Sequence, residues 1–234
     1  MIRSQFDHFL SAGKSGEPVL PGGEELFGNW LLVILSISLF SLFIVAFLRP
    51  FKKRDWASLT VTEAFFVSLF TEMFGIPLTI YFLSGFFGVP LTPDPLHGHL
   101  LAATLAILGL WTIDIGVLVV MIVSVAVLLV AAHLVIEGWR TVYHGGGRLV
   151  TTGLYSHMRH PQYLGIILGS IAFLIQWPTI PTLAMFPILV LAYYRLAKRE
   201  EREMALRFGV EYSQYQKSVP MFLPRFFKGD YFGL

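Results

Sequence analysis

"LVTTGLYSHMRHPQYLG", residues 149–165, decides how this chain is read. Upstream lies an apolar run from Ile113 to Ile136, and downstream another from Tyr163 to Trp177. Between them stand His157, Arg159 and His160, next to the helix breaker Pro161. Ionisable side chains are costly in lipid and usually functional there. The stretch is therefore either a solvated loop between two spans or part of a site.

Composition demands the membrane. The 234 residues are 55% hydrophobic and 14% charged, against roughly 25% charged in soluble domains. Mean hydropathy is +0.68. With no cysteine, disulfides, thiolate metal sites and a cysteine nucleophile are excluded. Residues 1–28 have no apolar stretch, so a polar or amphipathic segment is expected there rather than a cleavable signal. Residues 29–234 then form a single membrane domain.

A spanning helix needs about 20 apolar residues. Asn29–Leu48 qualifies, as do Thr62–Phe87, with Pro77 as a kink, and Ile113–Glu137. Tyr163–Trp177 and Pro181–Ala197 flank an uncharged "PTIP" turn and predict a tight helical hairpin. "HGHLLAATLAILGL", residues 97–110, is too short to span and predicts a re-entrant or interfacial helix. The expected fold is all-α, about five transmembrane helices with a C-terminal hairpin and a charged tail. Glu63 and Glu72 fall inside the second span, where such carboxylates face a cavity or a partner; lining a substrate cavity is one reading, and interhelical hydrogen bonds are the role expected. His133 and Glu137, four apart, are placed to pair.

The charge pattern orients these spans. If "RPFKKRD" is cytoplasmic, the same side collects Arg49, Lys52, Lys53, Arg54, Arg140, Arg148, Arg159, Arg195, Lys198, Arg199, Arg202, Arg207, Lys217, Arg225 and Lys228. That is all but Arg3 and Lys14 of the 17 basic residues, as the positive-inside rule requires. The hairpin then brings Arg159-His160-Pro161 to the same membrane level as Arg195 to Glu201, about 10 Å away. Imidazole, guanidinium and the Tyr163 phenol face the carboxylates of Glu200 and Glu201. Such a set suits a zwitterionic or cationic ligand.

The ordered pattern L-V-x-x-G-x-Y, R-H-P-x-Y-x-G, E-E, Y-x-x-Y and V-P-x-x-x-P, over residues 147–226, resembles the isoprenylcysteine carboxyl methyltransferase family. Phospholipid methyltransferases are among that family's membrane relatives. The resemblance implies an S-adenosyl-L-methionine site within residues 140–226, on the cytoplasmic side of a prokaryotic inner membrane. By the same resemblance Leu149, Val150, Gly153, Tyr155, His160, Pro161, Gln162, Tyr163 and Glu200 hold the cofactor. Gly153 and Gly165 permit close backbone approach. Arg159, Arg195 and Glu201 are the candidates on the acceptor side. The acceptor is expected to be lipophilic, an isoprenoid, a lipid headgroup or a small hydrophobic molecule entering from the bilayer among membrane lipids. Neither nucleic acid nor metal is expected.

One position departs from the family. Carboxyl-methylating members carry an arginine four residues before the first glutamate, where this chain has Leu196, with Arg195 one residue earlier. One helical residue is a rotation of about 100°. Adjacent Glu200 and Glu201 likewise point apart, so Glu200 is assigned to the cofactor and Glu201 to the acceptor or to a cation such as Arg195 or Arg199.

Other readings stand beside this one. Arg159 and His160 alone are explained by snorkelling beside a helix that starts at Pro161. His144, His157 and His160 lack the cysteines or carboxylates of a metal set. "YHGGGR" reads as a linker, and the tail helix is expected to stop at Gly209. A membrane NADPH-dependent reductase with a similar H-P-x-Y-x-G loop is the enzymatic rival, although Ile166 follows the glycine where those enzymes often have glutamate. A small non-enzymatic transporter or assembly protein is the rival of another class.

Overall fold

The computed structural model describes residues 27–47 and 56–223. The expected polar segment 1–28, apart from its last two residues, the basic stretch 49–55 and Pro224 of the last motif lie outside the described residues. Every regular element among the described residues is helical. In chain order these are α1 (Trp30–Phe47), α2 (Trp56–Phe70), a π turn (Thr71–Gly75), α3 (Leu78–Phe87), α4 (Pro95–Gly98) and α5 (Leu100–Ile107). Next come α6 (Ile113–His144), a 3-10 turn (Gly153–Ser156), α7 (Pro161–Gln176) and α8 (Ile180–Ser218). Trp30–Phe47, Trp56–Gly75, Ile113–His144 and Ile180–Ser218 are long and apolar enough to cross a membrane. Leu78–Phe87 and Pro161–Gln176 are apolar but shorter. The protein is an all-α polytopic membrane protein.

The second expected span is two helices, not one kinked helix. Pro77 has no N–H to give, and the residue before it, Ile76, is extended (φ −120°, ψ 117°). The helix therefore closes in a π turn and restarts at Leu78. The N–H groups of Gly28 and Asn29 donate to the carbonyls of Gly75 and Phe74, both at 2.7 Å. Buried Glu72 bridges the break, accepting from the Thr79 N–H (2.9 Å) and hydroxyl (3.0 Å). Glu63 accepts a hydrogen bond from Ser41 of α1. Both glutamates are thus satisfied between elements, as their positions predict.

The hairpin also differs in extent. A reciprocal Thr179–Thr182 capping box starts α8, which then runs past Ala197 to Ser218. As the sequence predicts, the first stretch of helix stops at Gly209. The chain leaves helical geometry there (φ 54°, ψ −120°) and re-enters helix on a new course.

Small residues seat α7 on α6. A Cβ on Gly165 would lie 2.7 Å from Val135 Cγ2 and 2.8 Å from the Ala131 carbonyl oxygen. One on Gly138 would lie 2.9 Å from Gln162 Cγ. Close backbone approach through glycine is how membrane helices gain packing when the hydrophobic effect does not distinguish protein from lipid. The close approach at Gly165 is therefore to α6. Phe40, Phe66, Phe70 and Phe173 interlock nearby, with centroids 4.5 to 6.0 Å apart. Thr62 of α2 shares a 2.8 Å hydrogen bond with Tyr193 of α8. The 97–110 segment forms α4 and α5, and Ala102 lies against Gly116 of α6.

Candidate functional site

Three pieces of chain meet at the start of α7. They are the loop before Pro161, the second half of α8, and the segment beyond Gly209. Proline at N1 sets the start of α7, where its missing N–H costs nothing, and leaves His160 at the N-cap. Gly146 and Gly147 turn the loop with φ of 56° and 83°, a region other residues avoid.

Arg159 joins all three pieces. Its Nε donates to Glu201 Oε1 at 2.8 Å, and Nη2 to the same oxygen at 2.5 Å. Its Nη1 donates to the carbonyls of Gln216 (3.0 Å) and Val219. The Arg159 and His160 N–H groups donate to the Pro220 and Met221 carbonyls at 2.9 and 3.1 Å. Gln216 Nε2 (3.2 Å) and Lys198 Nζ (3.5 Å) approach the other Glu201 oxygen. Burial by itself raises the Glu201 carboxyl, but the neighbouring His160 ring and the hydrogen bonds and charge of Arg159 outweigh it, holding it at about 2.

His160 lies between the two glutamates. Nδ1 is 3.6 Å from Glu200 Oε2, and Nε2 is 3.6 Å from Glu201 Oε1. Buried Nε2 has no hydrogen-bond partner among the described residues. The imidazole stacks on Tyr163 (5.5 Å, 7°), and Tyr163 donates its hydroxyl proton to Glu200. Unlike Glu201, Glu200 keeps 43% of its side chain exposed. Surrounding protein raises its carboxyl above the ordinary value, while Tyr163 and His160 pull it down.

The other residues expected on the cofactor side lie along the same loop and the start of α7. Leu149 packs on the Tyr212–Tyr215–Val219 cluster. Val150 fills the space that Gly145 leaves open. Gly153 takes φ 62° with nothing near a would-be Cβ. The Tyr155 hydroxyl donates weakly to the Gly138 carbonyl (3.4 Å), and its own carbonyl accepts from Tyr215 (2.6 Å). Burial raises the Tyr155 phenol, keeping it a neutral donor. Pro161 and Gln162 rest against Gly138.

Arg195 is not brought to the cluster; it lies on an exposed face of α8, while Leu196 is buried in the core. The cation on Glu201 is Arg159, 42 residues away in sequence. Glu137 reaches Arg140 at 3.7 Å, not His133. No group of three or more His, Asp or Glu side chains converges as on a metal ion among the described residues. Sequence reading assigns no role to Tyr212, Tyr215 or Gln216. The Y-x-x-Y spacing marks the tyrosines, but nothing in the sequence shows that Gly209 turns them back onto the loop.

Residues 111–211 match the phospholipid methyltransferase family. That stretch, somewhat under half of the chain, is similar to the family. Within the matched segment lie the whole loop and both glutamates, whereas the residues that clasp Arg159 from beyond Gly209 come after it. Over 88 residues the chain is 38% identical to the protein-S-isoprenylcysteine O-methyltransferase of Rattus norvegicus, covering 37% of this chain and 30% of that one. The protein of the same name from Schizosaccharomyces pombe is 29% identical over 77 residues, 32% of this chain and 33% of that one. Methanethiol S-methyltransferase 2 of Bradyrhizobium diazoefficiens is 36% identical over 78 residues, 32% and 28% of the two chains. The similarity thus spans about a third of these relatives' length. No solved structure matches.

Proposed function

We propose that the protein is an S-adenosyl-L-methionine-dependent methyltransferase of the membrane, acting on a lipophilic acceptor. The observation that carries this reading is the pairing of a sealed and an open carboxylate on one helix turn. Glu201 is neutralised by Arg159, whereas Glu200 remains half exposed beside Tyr163 and a His160 ring whose Nε2 has no hydrogen-bond partner among the described residues. A half-exposed carboxylate with a raised carboxyl gains from a cationic ligand, and the Tyr163 and His160 rings offer faces for a sulfonium or ammonium group. The residues fit the cofactor on these grounds: Glu200 and Tyr163 would hold its positive part, and the backbone at Leu149, Val150 and Gly153 would take its remainder. When bound, it supplies an activated methyl group. The protein's own part is alignment in a pocket kept from water. The relatives named for isoprenylcysteine and methanethiol support acceptors that are lipophilic or small. Arg159 is fully engaged and Arg195 faces away, which favours an acceptor that needs no guanidinium fork.

Calorimetry on the purified full chain tests this. S-adenosyl-L-methionine should bind and NADPH should not. His160→Ala and Tyr155→Phe should each weaken binding roughly ten- to a hundredfold, as a lost hydrogen bond to a charged partner of about 1.5–3 kcal/mol requires. Unchanged affinity in His160→Ala, or retention of NADPH instead, overturns the assignment.

A further inference from the structure

The end of the bundle remote from His160 holds an open cavity of about 480 Å³. Leu83 of α3, Leu101 and Thr104 of α5, Ile171 and Ile175 of α7 and Leu183 of α8 line it. Ile171 is ten residues along α7 from Pro161, about 15 Å. The cavity is therefore separate from the candidate site, and its occupant is independent of the function proposed there.

Helix length explains why a cavity exists here. α3 has 10 residues and α5 has 8, so they rise about 15 and 12 Å. The hydrocarbon core of a bilayer is about 30 Å thick. Two part-length helices beside the full-length α6 and α8 leave a notch in the flank of the bundle. Its mouth is apolar, with Leu101, Ile180 and Leu183 exposed.

The two side-chain hydroxyls in the lining are both engaged. The Thr104 hydroxyl donates to the Leu100 carbonyl at 2.7 Å. The Thr79 hydroxyl donates to Glu72 and accepts from the Ile180 N–H at 3.1 Å. Nothing remains to bind a headgroup or hold water, which needs two to four polar partners. An empty apolar notch open to lipid would forfeit dispersion contacts along its whole lining. We propose that one acyl chain of a membrane phospholipid occupies this notch as a bound lipid, with its headgroup outside.

Native mass spectrometry of the full-length protein in mild detergent tests this, with palmitoyl-oleoyl phosphatidylglycerol as the probe. Wild type should retain one phospholipid through washing that strips the rest, and its Tm should rise with added lipid. Thr104→Trp fills the notch and should lower retention about tenfold, about 1.4 kcal/mol, and abolish the Tm rise. Ile171→Phe, a smaller filling, should act in the same direction if the tryptophan is poorly tolerated. Leu118→Trp, equally bulky on an exposed face of α6, should behave as wild type. A lysophospholipid should compete, whereas the water-soluble glycerophosphoglycerol should not. The proposal is overturned if both notch variants retain lipid as wild type does, if wild type retains none, or if the headgroup alone competes.

Discussion

Arg159 shows what a buried charge requires in this protein. Its side chain is 8% exposed, and Glu201 is 4% exposed. Removing one partner of such a pair strands the other, which costs about 3–5 kcal/mol, whereas replacing both with apolar residues is often neutral. Arg159→Ala should therefore lower Tm sharply, and the Arg159→Met/Glu201→Leu double variant should recover much of it. The lost carbonyl contacts to Gln216 and Val219 should keep ligand binding weak in both. Thermal unfolding alongside calorimetry checks this; a double variant as unstable as Arg159→Ala would show that the charge pair itself sustains the fold. Acid gives a second reading. The Glu201 carboxyl lies at about 2 against an ordinary 4.5, so its contribution is complete above about 4.5 and is lost as pH falls through that window. Wild-type Tm should fall as pH drops from about 4.5 towards about 2. Glu201→Gln should lose most of that slope, and an unchanged slope would assign it to another group.

At the scale of elements, two glycines do different work. Gly165 has ordinary helical backbone but no room, because a Cβ would meet the backbone oxygen of Ala131 at 2.8 Å. Gly209 has room, with nothing within 4 Å, but its φ is +54°. Gly165→Ala should separate α7 from α6, costing about 1–3 kcal/mol by overpacking. Gly209→Ala should cost a similar 1–3 kcal/mol, roughly, by backbone strain, and specifically loosen residues 210–222 over the loop. Hydrogen exchange distinguishes them: Gly165→Ala should raise exchange in α6 and α7, and Gly209→Ala in the last segment alone. Raised exchange across the whole bundle in Gly209→Ala would contradict this division.

The same two glycines mark how far the sequence is legible. Apolar runs, Pro161 at a helix start and the spacing of His160, Tyr163 and Glu200 all sit in local patterns with a fixed period. The site's closure does not. It depends on a backbone angle at Gly209 and on carbonyls of Gln216 and Val219, which any side chain could supply. Arg195 is a reasonable partner for Glu201 by proximity in sequence. A rotation of about 100° per residue instead puts it on the exposed face while Leu196 and Ala197 enter the core. The break at Pro77 is legible as a kink, yet its completion by Glu72 and Thr79 needs the fold.

For the whole molecule, orientation comes from where the cations fall once the helices are fixed. α6 carries Arg140 at its C-terminal end, Arg148 and Arg159 stand in the loop after it, and α8 carries Arg195, Lys198, Arg199, Arg202 and Arg207 beyond its apolar half. All lie at the end of the bundle that holds His160. The opposite end, with α4, α5 and the α7–α8 turn, has no lysine or arginine between residues 56 and 139 or between 160 and 194. Loops rich in Lys and Arg stay on the cytoplasmic side, and moving one such residue to the bilayer centre costs about 2.5–3.5 kcal/mol on insertion scales. We therefore expect the candidate site to face the cytoplasm. Reporter fusions after Gly147 and after Glu211 should read cytoplasmic, and a fusion after Asp94 should read external. The short helices sharpen this test, because α3 and α5 rise only about 15 and 12 Å and neither crosses alone. If α2 and α3 did not complete one crossing between them, Asp94 would read cytoplasmic and Gly147, across α6 from it, external. The cytoplasmic site would then need a different set of spans.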